Sequence, residues 1–212
     1  MSPDGPKVVA LLIAEAGVAE LEVRGEPLLA HAVRGLFASG CVDRMIVVAP
    51  SEADSITRAV PGVERRVPPV SATRADSVRL AFEAAGPCDV VLVHDAARAF
   101  VPPATIRAVA EAVCQGAEAA VPVLPVTDTV KLVDAAGVIV ATEDRSRLRT
   151  LQAPFGCTGH VLRDACARGI DPLSNPPGKV CAVDGHPNAI RLTTPFEVAV
   201  AEALLLDEED SR

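Results

Sequence analysis

The sequence predicts an α/β protein with a Rossmann-like, doubly wound, mostly parallel sheet and a projecting β-arm. Two continuous apolar runs, Val8 to Ile13 and Val90 to Val93, have the character of strands covered on both faces. Segments with apolar residues at helical spacing alternate with such runs, which implies right-handed crossovers and helices on both faces of the sheet. Residues 126–152 break that rhythm: Val130 to Val133 and Val138 to Ala141 flank Asp134-Ala135-Ala136-Gly137, a hairpin signature.

Val8 to Ile13 is the expected first strand. From Pro27, suited to a first helical position, apolar residues recur at Leu28, Leu29, Ala32, Val33, Leu36 and Phe37 until Gly40 stops the pattern. Met45 to Ala49 reads as a second strand. Ser51 with Asp54 has the capping-box arrangement that opens a short helix, and Val63 to Val67 is a weaker strand. A helical face then carries Val78, Ala81, Phe82 and Ala85 ahead of the strand Val90 to Val93. The helix behind Pro103 carries Ile106, Val109, Ala110 and Val113, and Ala119 to Val123 is a further buried strand. After the arm come a helix near Val161 to Arg168, a Pro- and Gly-rich loop from Gly169 to Lys179, and a short strand from Ala189 to Leu192. Thr194-Pro195-Phe196-Glu197 combines an N-cap Thr, a Pro at the first helical position and a Glu three residues on, so a final helix is expected to run to Leu206. No internal repeat is visible, and residues 1–212 are expected to form a single domain.

Composition narrows the function classes. Five Phe and no Trp or Tyr leave few rings for base stacking, and a formal charge of -8 argues against a surface for nucleic acid. A local cluster of arginines remains compatible with one phosphate ligand. No apolar run approaches a membrane span and no signal-like segment opens the chain, so a cytoplasmic protein without membrane contact is expected. The cysteines at 41, 88, 114, 157, 166 and 181 are scattered without metal-site spacing and read as free, mostly buried thiols, with no metal site.

The stretch Val91-Leu92-Val93-His94-Asp95-Ala96-Ala97-Arg98 ends an apolar run in an imidazole, a carboxylate and a guanidinium. Ligands of open α/β sheets bind outside the carboxyl ends of strands, so Asp95 and Arg98 are candidate site residues. The plainer alternative is that Asp95 caps the following turn and Arg98 pairs with it.

Further polar pieces follow in order: Arg74-Ala75-Asp76-Ser77-Val78, Pro125-Val126-Thr127-Asp128-Thr129-Val130-Lys131, Asp144-Arg145 and Ile190-Arg191-Leu192-Thr193-Thr194-Pro195. With the stretch at Asp95 they resemble the methylerythritol phosphate cytidylyltransferases, a branch of the nucleotidyltransferase superfamily, over nearly the whole chain. The resemblance implies transfer of CMP from CTP to the sugar-alcohol phosphate 2-C-methyl-D-erythritol 4-phosphate with release of pyrophosphate, in isoprenoid biosynthesis by the non-mevalonate pathway, with Mg2+ as cofactor. It implies catalytic roles for Asp95 and Arg98, and a nucleotide site at Gly17, Ser77, Asp95 and Ala96. The substrate site would use Arg98, Thr129, Arg145 and Arg191, with residues 126–152 as the dimerisation arm of a homodimer. Each piece also has a plainer reading: Ser77 as a helix cap, Arg145 as a surface charge, Asp128 to Lys131 as a strand end.

The departures from the family pattern bear on activity. Such enzymes carry a Gly-rich loop after the first strand, with an arginine and a Pro-Lys pair that grip the triphosphate. Here the segment reads Ile13-Ala14-Glu15-Ala16-Gly17-Val18-Ala19-Glu20-Leu21-Glu22-Val23-Arg24-Gly25-Glu26-Pro27, in which only Gly17 matches the loop. Glu15, Glu20 and Glu22 would repel a triphosphate, and Arg24, just before the turn into the helix, is not expected to replace the missing cations. Val70-Ser71 replaces a glycine pair, Ala153-Pro154-Phe155 replaces Thr-Pro-Gln, and a Thr-Asp segment is missing from the loop at 169–179. Impaired catalysis is therefore expected. The alternatives are a non-catalytic relative that binds a phosphate ligand or partner protein, and a nucleotidyltransferase with another substrate.

Overall fold

The computed structural model describes residues 6–53 and 63–210. Strand β1 (Val8–Ile13) lies at the centre of an eight-stranded sheet and is wholly buried. A tiny hairpin, β2 (Glu22–Val23) with β3 (Glu26–Pro27), leads from it into helix α1 (Leu28–Ala38). Then follow β4 (Arg44–Val48), β5 (Val63–Arg66), α2 (Arg74–Ala85), β6 (Val90–Asp95), α3 (Pro103–Cys114) and β7 (Ala119–Pro125). The arm holds β8 (Lys131–Val133) and β9 (Ile139–Thr142), an antiparallel pair. The chain closes with β10 (Arg149–Leu151), β11 (Phe155–Thr158), α4 (Gly159–Ala167), β12 (Val180–Asp184) and α5 (Pro195–Asp210).

Parallel pairing joins β6, β1, β4 and β5 in that spatial order, and β12 pairs parallel with β7. Strand β11 runs antiparallel between β6 and β7, and β10 runs antiparallel beside the far half of β7. The two-residue period of a strand sorts side chains to two cores. Ala10, Leu12, Met45, Val47 and Leu92 meet Leu29, Val33 and Leu36 of α1 and Ile106 and Val109 of α3 on one face. Val9, Leu11, Ile46, Val91 and Val93 meet Val78 and Ala81 of α2 and Leu162 of α4 on the other. The sheet is thus doubly wound and mostly parallel, as the alternation of runs predicts.

Several sequence expectations change. Ala189 to Leu192 is not a strand: both end residues are buried, but Leu192 donates its N–H to the Ala97 carbonyl at 2.7 Å, docking on the end of β6 outside the sheet. The place beside β7 belongs to β12, an edge strand with Cys181, Ala182 and Asp184 exposed, in a segment without strand periodicity. Strands β10 and β11 also escape a pattern reading, being short and separated by Pro154. At Gly156 of β11, a Cβ would stand 2.5 Å from Val109 Cγ1, so only glycine lets α3 approach so closely. The final helix runs past Leu206 to Asp210. All six thiols are free, but only Cys157 is buried, while Cys114 and Cys181 are exposed. Ser51–Ala53 forms one short 3-10 turn, and the Asp54 of the expected cap lies outside the described residues. Among the described residues no helix is long and apolar enough to cross a membrane.

Candidate functional site

The parallel register of β1 and β6 sets Ile13 opposite Asp95, so both chains leave the sheet at one level. Asp95 continues the face of Val91 and Val93, which points it toward α2, while His94 turns to the opposite core. The Asp95 carboxylate is buried and accepts the Ala97 N–H at 2.9 Å, capping the 3-10 turn Ala96–Arg98. Its second oxygen accepts from Arg191 Nε at 2.8 Å and lies 3.9 Å from Arg74 Nη1. The plainer reading of Asp95 as a cap is therefore correct as far as it goes, but its ion pair is with Arg191, ninety-six residues away, and not with Arg98.

Arg98 is held by backbone carbonyls: Nη1 donates to Ala189 O at 2.6 Å and Nη2 to Leu151 O at 3.3 Å. Burial disfavours its charge and lowers its pKa, with the nearby Asp95 opposing that effect. Burial also works against the charge on Arg191, but its bond to Asp95 and the pull of Asp95 and Glu15 more than offset this and raise its pKa. His94 is fully buried; it sits within 3.1 Å of the Arg98 carbonyl through Nε2, and burial lowers its pKa to about 4. The imidazole is thus neutral, with Nε2 the donor and Nδ1 left without a partner.

Arg74 opens α2. Its Nε donates to Asp171 Oδ2 at 2.7 Å and its Nη2 to Ser174 Oγ at 2.6 Å, tying the helix to the loop before β12. Gln152 is buried and clamps the turn after β12: Oε1 accepts the His186 N–H at 2.9 Å and Nε2 donates to the His186 carbonyl at 2.9 Å. That turn carries Ala189, whose carbonyl holds Arg98. Arg74, Asp95, Arg98, Leu151, Gln152, Ala153, Leu173 and Arg191 together line a cavity of about 100 Å³. A larger cavity of about 310 Å³ lies between α1 and α5, but it is mainly apolar and its Arg34 is bonded to Glu26.

The first βα turn lies against two of the arginines that line this cavity. Ala14, Val18, Ala19 and Val23 are buried, so the turn is anchored by small apolar side chains. Three of its amides are engaged: Ala14 N–H donates to Val48 O, Val18 N–H to Glu15 O and Leu21 N–H to Val18 O. Arg24 and Gly25, at φ 55° and 74°, form the left-handed tip of the β2–β3 hairpin, whose Arg24 N–H donates to Glu202 of α5. Glu15 alone faces the cavity residues. It accepts from Arg191 Nη2 at 3.0 Å and lies 3.8 Å from Arg74 Nη1.

Of the residues expected at the site, Asp95, Arg98 and Arg191 converge on the cavity. Ser77 is buried in the first turn of α2, its hydroxyl donating to Thr73 O at 3.2 Å; Thr73, not Ser77, is the cap. Ala96 is buried and Gly17 is exposed at φ 77°. Thr129 and Arg145 are exposed on the arm and do not line the cavity of their own chain. Sequence reasoning assigned no role to Arg74, Gln152, Asp171 or Ser174. The one available signal was Arg74 inside a polar stretch already singled out.

The model of the 2-C-methyl-D-erythritol 4-phosphate cytidylyltransferase family matches residues 14–207. A protein of that name from Saccharopolyspora erythraea is 48% identical over 212 residues, covering 90% of this chain and 92% of its own. One from Rhodococcus jostii is 39% identical, covering 95% and 96%. The crystal structure of the protein of that name from Thermus thermophilus superposes with a TM-score of 0.74 at 30% identity, covering 94% of this chain and 98% of that one. With the family model matching residues 14–207 and a relative 48% identical over 90% of its length, the chain belongs to the 2-C-methyl-D-erythritol 4-phosphate cytidylyltransferase family.

Proposed function

We propose that this chain keeps the acceptor-phosphate side of a cytidylyltransferase site and transfers CMP from CTP to methylerythritol phosphate slowly or not at all. The relatives' shared name supports these two substrates. The observation that carries the reading of impaired transfer is the Glu15 carboxylate bonded to Arg191, in a turn whose amides at Ala14, Val18 and Leu21 are bonded to carbonyls. A phosphate loop works through unbonded N–H groups and cations aimed at developing charge. This turn presents an anion where a cation is needed, and three of its amides are bonded to carbonyls.

In this reading Arg98 and Arg191 hold oxygens of the sugar-alcohol phosphate, and Asp95 orients Arg191. Gly17, Ser77 and Ala96 border the nucleotide, with Asp95 between the two substrates. Thr129 and Arg145 reach the site of a second copy through the arm. The exposed Leu132, Val133, Val138, Ile139 and Val140 on the arm support a homodimer that covers them. Magnesium, usually held by one or two carboxylates with substrate phosphates, would compete with arginines here, since both Asp95 and Glu15 are paired with guanidinium groups.

The test is pyrophosphate release from CTP and methylerythritol phosphate with magnesium. Losing one preorganised charge-stabilising group costs roughly 10²–10³ in rate, so turnover is expected at or below about one hundredth of an ordinary family member's. Turnover equal to such a relative's overturns the reading. Binding of methylerythritol phosphate without turnover identifies the chain as a non-catalytic phosphate-binding relative.

A further inference from the structure

The cavity wall contains three guanidinium groups, of Arg74, Arg98 and Arg191, and three carboxylates, of Glu15, Asp95 and Asp171, lie against two of them. The three carboxylates are not equivalent. Asp95 is 7% exposed and also caps the Ala96–Arg98 turn. Asp171 is 17% exposed and also accepts from the Leu173 N–H and the Ser174 hydroxyl. Glu15 is 46% exposed, and among the described residues its carboxylate touches only the two arginines. It is the one anion of the cavity that can leave without breaking another part of the fold.

Arg191 presents Nε to one carboxylate and Nη2 to the other. A planar guanidinium fork used on two neighbouring oxygens is also how arginine takes a phosphate. A phosphate monoester entering the cavity would use the same Nη2 that Glu15 occupies and the same Arg74 face.

We infer that Glu15 is a built-in competitor for a phosphate-type anion at Arg191 and Arg74, so that this single residue of the first βα turn sets how tightly the cavity holds a phosphate group. The inference rests on the reading that this cavity is the acceptor-phosphate site. A ligand that binds only the fraction of molecules with Glu15 displaced has its apparent affinity reduced by that fraction.

Calorimetric titration of the full-length protein with inorganic phosphate, at fixed ionic strength and neutral pH, tests this. Glu15→Gln keeps the shape of the side chain and removes the charge, and is expected to bind phosphate about tenfold more tightly than the parent. Glu15→Ala gives the same direction if the glutamine variant is poorly folded. Glu20→Gln, the same charge change on an exposed residue of the same turn, is expected to leave the affinity within about twofold, because exposed charges are screened. Adding Arg191→Gln to Glu15→Gln is expected to abolish the gain. Equal tightening by Glu15→Gln and Glu20→Gln, or no tightening by either Glu15 variant, overturns the inference. Family-like turnover in the unmodified protein overturns instead the reading of impaired transfer, whatever the phosphate titrations give.

Discussion

The ends of β1 and β6 are adjacent in the sheet, meet the same two arginines, and are built in opposite ways. The β6 end is polar and tightly bonded: Asp95 serves a cap and two arginines, Arg98 two carbonyls, and the His94 imidazole meets the Arg98 backbone. The β1 end is held by packing of Ala14, Val18, Ala19 and Val23, with Glu15 as its only charged side chain contacting the cavity arginines. A polar end of this kind resists change because each removal leaves buried partners exposed to loss. A packed end can alter its charged residue at little cost to the fold, which makes it the place where activity can change while the scaffold persists.

That contrast predicts the largest effects at β6. Asp95→Ala removes the cap and leaves Arg191 and Arg74 with only the half-exposed Glu15 between them; with those arginines 36% and 20% exposed, part of the loss is relieved by water. A destabilisation of about 3 kcal/mol in urea unfolding is expected. A loss under about 1 kcal/mol would mean that the β6 end is no more tightly determined than the β1 turn. Next in size is the response to acid. The folded pKa of His94 is lowered from 6.5 to about 4, so the unfolded chain takes up a proton that the folded one refuses. Stability from this group is complete above about pH 6.5 and is lost as pH falls toward 4, by at most about 3 kcal/mol. His94→Gln should remove that slope from the difference between the two unfolding curves; an unchanged slope would show that His94 is not the group responsible.

Much of this architecture can be read in one dimension. Strands β1 and β6 are unbroken apolar runs, α1 and α3 carry clear apolar stripes, and the β8–β9 hairpin turns at Asp134 to Gly137, with Asp134 accepting the Ala136 and Val138 N–H groups. Strands β10, β11 and β12 could not be read that way, since each is three to five residues long and exists because β7 offers backbone partners on both sides. The site divides similarly. Asp95 and Arg98 stand out as charges at the end of an apolar run, and Arg191 as a charge that interrupts a short apolar segment. The pairings of Arg74 with Asp171 and of Gln152 with His186 join distant segments, and no local pattern records a distance across the fold. Glu15 was legible as an acidic intruder; which cation it meets was not.

Gln152 tests the polar end from its far side. Its side chain satisfies the His186 N–H and carbonyl at a point where Gly185 has no room for a Cβ, which would lie 2.4 Å from Gln152 Oε1. Gln152→Ala should cost about 2 kcal/mol, because it leaves buried backbone groups without partners. It should also speed amide exchange at His186 and loosen the Ala189 carbonyl that holds Arg98. Protection at His186 equal to the parent's would show that the turn holds itself and that the clamp is incidental.

The smallest expected effect falls on the β1 turn. Glu15 is nearly half exposed and bonded only to side chains that are themselves partly in water. Exposed ion pairs contribute between about zero and 1 kcal/mol, and removing one negative charge here also leaves Arg191 with Asp95, so Glu15→Gln should move the unfolding free energy by no more than about 0.5 kcal/mol. Thermal or urea unfolding of this variant beside Asp95→Ala measures the contrast directly. If Glu15→Gln destabilises as much as Asp95→Ala, the turn depends on its charge as the β6 end does, and Glu15 is a structural residue. If the change is small, the residue that faces Arg74 and Arg191 is also among the cheapest in the site to replace, and the anion at this position is not there for the sake of the fold.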